Sequence, residues 1–325
     1  MTATFSTIAN TPSAQQTDIY AQTLQRAARV NWRIEDIIGA DKRLDFTKRF
    51  LPDVLARVES ISCLNDVEKR ILNQIRGNSY LHLFGLVEEF IVPAVMEHVE
   101  TSGLEDITAT QALLHFAEEE SKHIRLFRRF AEEFELGFGS RCEGIGPTRE
   151  IAAAVLQHRH LAVVMIILYI EWMTQYHYLA SVQDNLREDL DPQFCSLLRN
   201  HWLEEAQHTT LDTLMVEQLA AQQDAPELQA CSDDFFRIIE LLEGGLRQQV
   251  SLDIESLSRA TGRSFSEAER HEIETEQVRS YHWTFIGSGL SHTRFLQTFV
   301  QVAPAAVVRL EETTRRYALA GEGAG

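Results

Sequence analysis

Two stretches of the chain place a histidine three residues after a glutamate. His115-Phe-Ala-Glu-Glu-Glu-Ser-Lys-His123 contains Glu120 and His123, and His201-Trp-Leu-Glu-Glu-Ala-Gln-His208 contains Glu205 and His208. Residues three apart on a helix differ by about 60° around its axis, so both side chains can reach one point. One such pair is weak evidence, because Glu and His are common on solvated helix faces. Two pairs, each accompanied by an acidic residue on a further helix, are a different matter. Glu171 follows the uninterrupted apolar run Leu161–Ile170. A carboxylate buried there alone would cost several kcal/mol unless paired or bound to a cation; the plainer reading is a helix-end Glu that reaches solvent. Glu88 and Glu89 sit in Gly-Leu-Val-Glu-Glu-Phe-Ile-Val-Pro, and one of them should point inward. Glu89 shares a face with His82, Gly85, Val92 and Met96, and Glu88 shares one with Leu81, Phe84, Ile91 and Val95. The smaller, more polar neighbours leave more room for a site, which favours Glu89.

The elements that must carry these residues are helices. Asp66 is a candidate N-cap for a helix to about residue 100, ended by Ser102-Gly103. A second helix fits 108–136, closed by Gly137 and Gly139. A third runs from Pro147 to about 184, and a fourth from Asp191-Pro192 to about 223. Each is about 30 residues, or roughly 45 Å, which suits a bundle. A first amphipathic helix fits 17–29, short helices fit 30–66, and two more fit 232–260 and 266–301, broken by Thr261-Gly262 and Pro304. The ends, 1–16 and 321–325, are expected to be mobile. Gly287 and Gly289 lie inside a helical pattern and suggest close helix packing or a kink. No strand-like alternation, nucleotide-binding glycine motif or internal repeat is present. The expectation is an all-α fold in one domain, 1–325, with a bundle core at about 67–223 and C-terminal helices at about 232–318.

One Glu from each of two helices plus a Glu-x-x-His from each of two others is the ligand set of ferritin-like di-iron carboxylate bundles. The chain order Glu, ExxH, Glu, ExxH agrees with that fold. Two divalent ions about 4 Å apart repel, so bridging carboxylates must neutralise them. Glu120 and Glu205 would bridge, while each histidine and each lone Glu would cap one ion. Oxygen and imidazole donors without thiolate favour iron, with manganese as the alternative. His201 adds to this pattern: it precedes Glu205 by four and His208 by seven, on the same face, with Asp212 one turn further on. A core histidine hydrogen-bonded to a neighbour is the plainer alternative. His-x3-Glu-x2-His on the last bundle helix, with Glu-x2-His earlier, resembles the p-aminobenzoate N-oxygenase family of di-iron arylamine oxygenases. The resemblance covers about 67–220. It implies a seven-residue metal site of Glu89 (or Glu88), Glu120, His123, Glu171, His201, Glu205 and His208. It also implies dioxygen activation at two iron ions, oxygenation of a small organic substrate such as an arylamine nitrogen, and an external reductase or ferredoxin. No flavin, Rossmann or iron–sulfur motif is available to supply electrons from within.

Composition narrows the alternatives. The chain has 325 residues, 48 acidic against 30 basic, and a formal charge of −18, so nucleic acid and anionic membrane surfaces are disfavoured partners. Cys63, Cys142, Cys195 and Cys231 are scattered and are expected to be reduced thiols. Residues 1–15 lack the pattern of a signal peptide and the longest apolar run is half a membrane span, so a cytoplasmic location is expected; a homodimer is a candidate assembly. His82, His160, His282, His292, Arg279 and Arg294 are assigned structural or surface roles. Two other functions compete: ferritin- or rubrerythrin-like iron oxidation, storage or peroxide removal, and a non-catalytic helical interaction protein whose ExxH pairs are accidental. The extra C-terminal helices argue against the first, and the cost of several buried charges against the second.

Overall fold

The computed structural model describes residues 14–39, 41–102 and 106–319. The tail at 321–325 and most of the first sixteen residues lie outside them, as does Gly103. The described residues form helices and turns, with two isolated bridges and no strand. In chain order these are α1 (Ala14–Ala27), α2 (Ile34–Ile37), α3 (Asp53–Ala56), α4 (Asp66–Ser102), α5 (Ile107–Phe138), α6 (Thr148–Leu156) and α7 (His160–Leu179). There follow α8 (Pro192–Ala221), α9 (Ala225–Thr261), α10 (Glu267–His282), a π-helical turn (Trp283–Gly287), α11 (Ser288–Leu290), α12 (Thr293–Val302) and α13 (Val307–Tyr317).

Helices α4, α5, α7 and α8 make the bundle, with α4 packed along α5 and α7 along α8. Helix α1 lies against α5 and α8, while α9 crosses α4 and α7 and is covered by α10. The all-α expectation therefore holds, with α1 on the α5–α8 side of the bundle and α9 and α10 layered over the α4–α7 side. α4 is long and apolar enough to cross a membrane by length and composition, a test that the core helix of a soluble protein also passes. It also carries the buried Asn73, Arg76 and Glu88.

Helix starts follow local chemistry. Asp106, Asp191, Asp224 and Ser266 each accept a backbone N–H of the first turn through the side chain, satisfying donors that have no helical partner. Asp66 is not the cap of α4. Asn65 Oδ1 accepts from the Val67 and Glu68 amides, and Glu68 accepts in return from the Asn65 amide, so the helix begins one residue earlier than its first acid suggests. The third bundle helix is also corrected. It is interrupted between α6 and α7, and a separate helix opens at His160. Arg159 at that junction is held by Asp234 of α9, with its amide and Nη1 both donating to Asp234 Oδ2. The last long helix of the sequence pattern runs on through the π-helical turn and divides at Ser291 and His292, between α11 and α12.

Gly287 and Gly289 are the reason the chain can pack so closely there. A Cβ at Gly287 would lie 2.3 Å from the carbonyl oxygen of Tyr317, and one at Gly289 would lie 2.6 Å from the carbonyl oxygen of Tyr169. Both obstacles are backbone and cannot swing aside. Gly287→Ala is therefore expected to destabilise the protein by about 1–3 kcal/mol, the usual cost of overpacking. Urea unfolding followed by circular dichroism checks this, and an unchanged midpoint would show that the C-terminal helices can shift freely.

Candidate metal centre

Seven side chains from the four bundle helices meet in the core. Glu88 comes from α4, Glu120 and His123 from α5, Glu171 from α7, and His201, Glu205 and His208 from α8. All seven are buried, none more than 2% exposed. They form two groups that share Glu205: Glu88, His123, His201 and Glu205 in one, and Glu120, Glu171, Glu205 and His208 in the other. Within each group one donor atom per residue lies within 4.8 Å of the rest.

The preference for Glu89 is corrected by the structure. Glu88 points into the cluster, its Oε1 3.5 Å from His201 Nε2, while Glu89 lies outside and meets Arg128 at 3.4 Å. The reason is the apolar face. Leu81, Phe84, Ile91 and Val95 are all buried, whereas Met96, on the Glu89 face, is 42% exposed. The buried stripe dictates which side of α4 turns inward, and room for a site does not.

Glu120 and Glu205 stand between the two histidines of the ExxH pairs. Glu205 Oε1 is 3.0 Å from His123 Nδ1 and its Oε2 is 2.7 Å from His208 Nδ1. Glu120 Oε2 is 3.3 Å from His123 Nδ1 and its Oε1 is 2.8 Å from His208 Nδ1. Each carboxylate thus offers one oxygen to each half of the cluster. His201 Nε2 is 2.6 Å from Glu205 Oε1 but not in hydrogen-bond geometry. Buried polar atoms without a hydrogen-bond partner gather here: Glu88 Oε2, Glu120 Oε1, Glu171 Oε2 and His201 Nε2. Crowded acceptors without shared protons are what a cation would reconcile, so the residues fit a metal pair.

The outer faces of the two imidazoles are held in a crossed pattern. His123 Nε2 is 2.9 Å from Glu204 of α8, and His208 Nε2 is 2.9 Å from Glu119 of α5. Each histidine is therefore fixed by the acid that precedes the other helix's inner glutamate. Nδ1 is left facing the cluster, the role that outer hydrogen bonds play for metal-binding histidines. Sequence reasoning missed Glu119 and Glu204, although the signal was present: both motifs are Glu-Glu-x-x-His. Lys122 contacts Glu204 and lies 4.0 Å over the Trp32 ring, which stacks on His123.

The electrostatics follow from burial. Desolvation and the neighbouring Glu120 push the Glu88 carboxyl well above the usual range, and desolvation with Glu205 does the same for Glu171. Burial would also raise Glu205, but His201, His208 and His123 outweigh it and hold it well below. For His123 and His208 burial favours the neutral ring, and the surrounding carboxylates reverse that, led by Glu205. Asp212 is fully buried, with both oxygens unpartnered, and desolvation raises it well above the carboxylate range. It lies outside both donor groups.

Other candidates sit elsewhere. His82 Nε2 bonds the Ile145 carbonyl, and His160 faces Glu97 and stacks on His98. His282 bonds Glu243, His292 stacks on Trp172, and Arg279 pairs with Glu276.

No protein-family model and no curated protein matches the chain. Among solved structures it is similar to R2-like ligand-binding oxidases. One point variant, with an anaerobically reconstituted Mn/Fe cofactor, shares 12% identity over 82% of this chain and 91% of that one, with a TM-score of 0.45. An aerobically reconstituted Mn/Fe form shares 13% over 83% and 92%, with a TM-score of 0.43.

The two adjacent acids of α4 should separate cleanly. Glu88→Gln is expected to reduce bound transition metal, and Glu89→Gln to leave it unchanged. Glu119→Gln and Glu204→Gln should weaken metal affinity by about 10–100-fold, the usual effect of losing an outer partner. Competition with a chelator, read by plasma emission spectroscopy, measures all four. Equal retention in Glu88→Gln and wild type would contradict the placement.

Proposed function

We propose that the protein is a dinuclear-iron oxygenase that uses dioxygen to oxygenate a small organic substrate, with the nitrogen of an arylamine as the atom oxidised. The observation that carries this reading is His201. It adds a third imidazole to a buried four-carboxylate cluster, in the His-x3-Glu-x2-His spacing that resembles the arylamine N-oxygenases. Two iron ions bound there would supply binding positions for dioxygen and the electrons to reduce it, with manganese the alternative metal.

The chain's own residues do the rest. Glu120 and Glu205 hold one oxygen toward each half, which suits them to bridge. Glu88 and Glu171, each on a helix without a histidine ligand, close the two ends. Glu119 and Glu204 fix the ring orientations of His208 and His123, so that Nδ1 is the donor atom offered inward. Phe84, Phe116 and Phe127 pack on the imidazoles, with ring centroids 5.5, 4.0 and 5.0 Å from His201, His208 and His201 respectively, and keep water away from the cluster. Electrons come from a separate reductase or ferredoxin, because the sequence carries no motif for a second redox group. The reading includes a single catalytic domain, a cytoplasmic location, homodimeric assembly, and no nucleic-acid or membrane partner.

The test begins with protein expressed in iron-supplemented medium, where about two metal ions per chain are expected. Fewer than one under several loading conditions would rule out the dinuclear reading. His201→Ala should stay folded, weaken one ion and change the optical spectrum of the oxidised site. The loaded protein is then reduced, given isotopically labelled dioxygen and offered arylamines, and the products are examined by mass spectrometry. Label on the amine nitrogen is the expected outcome. Uptake of many irons per chain with mineral formation would favour storage instead. Oxygen consumption that never labels an arylamine would leave an oxygenase of another substrate.

A further inference from the structure

Asp212 is a fully buried acid with no part in either donor group. Among the described residues it alone of the buried carboxylates has both oxygens without a hydrogen-bond partner. An unsatisfied buried carboxyl lowers stability, so its presence in a bundle core calls for a physical reason.

Its setting is one-sided. It lies four residues after His208, on the face of α8 that carries His201 and Glu205. The next inward residues of that helix, Met215 and Val216, are apolar and fully buried, so the polar stripe stops at Asp212. The charges that act on its carboxyl are those of His208, Glu120 and Glu205, with His208 foremost. These are three of the four residues in the donor group that Glu171 completes. Asp253 is a buried aspartate of the opposite kind. Its Oδ1 accepts from Ser79 Oγ at 2.6 Å and from Gln249 Nε2 at 2.9 Å, and its Oδ2 accepts from Tyr281 Oη at 2.5 Å, so it joins α4, α9 and α10. Asp212 makes no such join.

We propose that Asp212 serves the metal centre as an outer carboxylate of the ion held by Glu171 and His208; the assignment rests on the dinuclear reading above. Because it stands outside the donor group, it reaches that ion through a bridging water, which supplies the donor that the protein does not. Its charge acts at short range in a dry interior and strengthens the half with the single imidazole. The two states of the protein are therefore opposed. In the empty bundle the carboxyl is an unsatisfied group that weakens the fold. In the loaded bundle it is satisfied and raises affinity.

The test uses the full-length protein, stripped of metal and titrated under argon with manganous ion, whose free form is counted by electron paramagnetic resonance. Wild type is expected to take up about two ions per chain. Asp212→Asn and Asp212→Leu should each weaken one ion about 10–100-fold and leave the other within about twofold of wild type. Thermal unfolding of the metal-free proteins is the second readout, and a purely structural role would move it the other way. Asp212→Leu keeps the branching of aspartate without its polar atoms and should melt about 1–4 °C above wild type. Asp253→Leu leaves three donors unpaired and should melt below it. Variants of Asp212 that bind both ions as wild type does overturn the assignment and leave the dinuclear reading intact. A metal-free Asp212→Leu that melts at or below wild type overturns it as well. If the larger leucine prevents folding, Asp212→Asn decides by affinity alone. Wild type that binds fewer than one ion removes the dinuclear reading itself, and the assignment with it.

Discussion

Mutual repulsion among buried acids is the constraint around which the rest of the molecule is arranged. Glu88, Glu119, Glu120, Glu171, Glu204 and Glu205 are all buried within one stretch of the bundle, with three imidazoles among them. Each ionised carboxylate taken out of water costs several kcal/mol before compensation. Part of the compensation is visible in the histidines and in Lys122. The remainder points to cations. The well-packed apolar surroundings supply burial free energy against that cost: the apolar run of α7 lies beside the cluster and phenylalanines of α4 and α5 pack on its imidazoles.

The fold was largely legible because long helical periodicity and capping residues are local signals. The break between α6 and α7 was not, since no Gly or Pro marks it and a contact from Asp234 of α9 stabilises it. Likewise the site's ExxH pairs and His201 could be picked out by spacing, and Glu171 by the apolar run that it follows. The choice between Glu88 and Glu89 could not be made by asking which face had room. It follows from which face is more apolar, and Ile91 and Val95 carried that information. Glu119 and Glu204 escaped because their role depends on crossing between helices, a relation that a single helix's pattern does not express.

The crossed bonds also tie local order to global order. His123 is oriented by a residue of α8 and His208 by a residue of α5. Neither ring can take up its final position until both helices have docked. The geometry of the centre is therefore a property of the assembled bundle, and unlike a metal-binding loop it has no counterpart in an isolated segment. The outer layer adds to this, because Gly287 of the π-helical turn presses directly against the last helix and Gly289 of α11 against α7.

The crossed arrangement is nearly two-fold, and His201 breaks it. With Glu120 and Glu205 facing both halves, one half of the cluster has two imidazoles and three carboxylates, the other one imidazole and three carboxylates. The halves are thus unequal hosts. The half with the additional imidazole suits a softer ion, and the other half a harder one. A pair of ions held there would meet unequal donor sets even if both were the same element, because His201 has no counterpart in the other half.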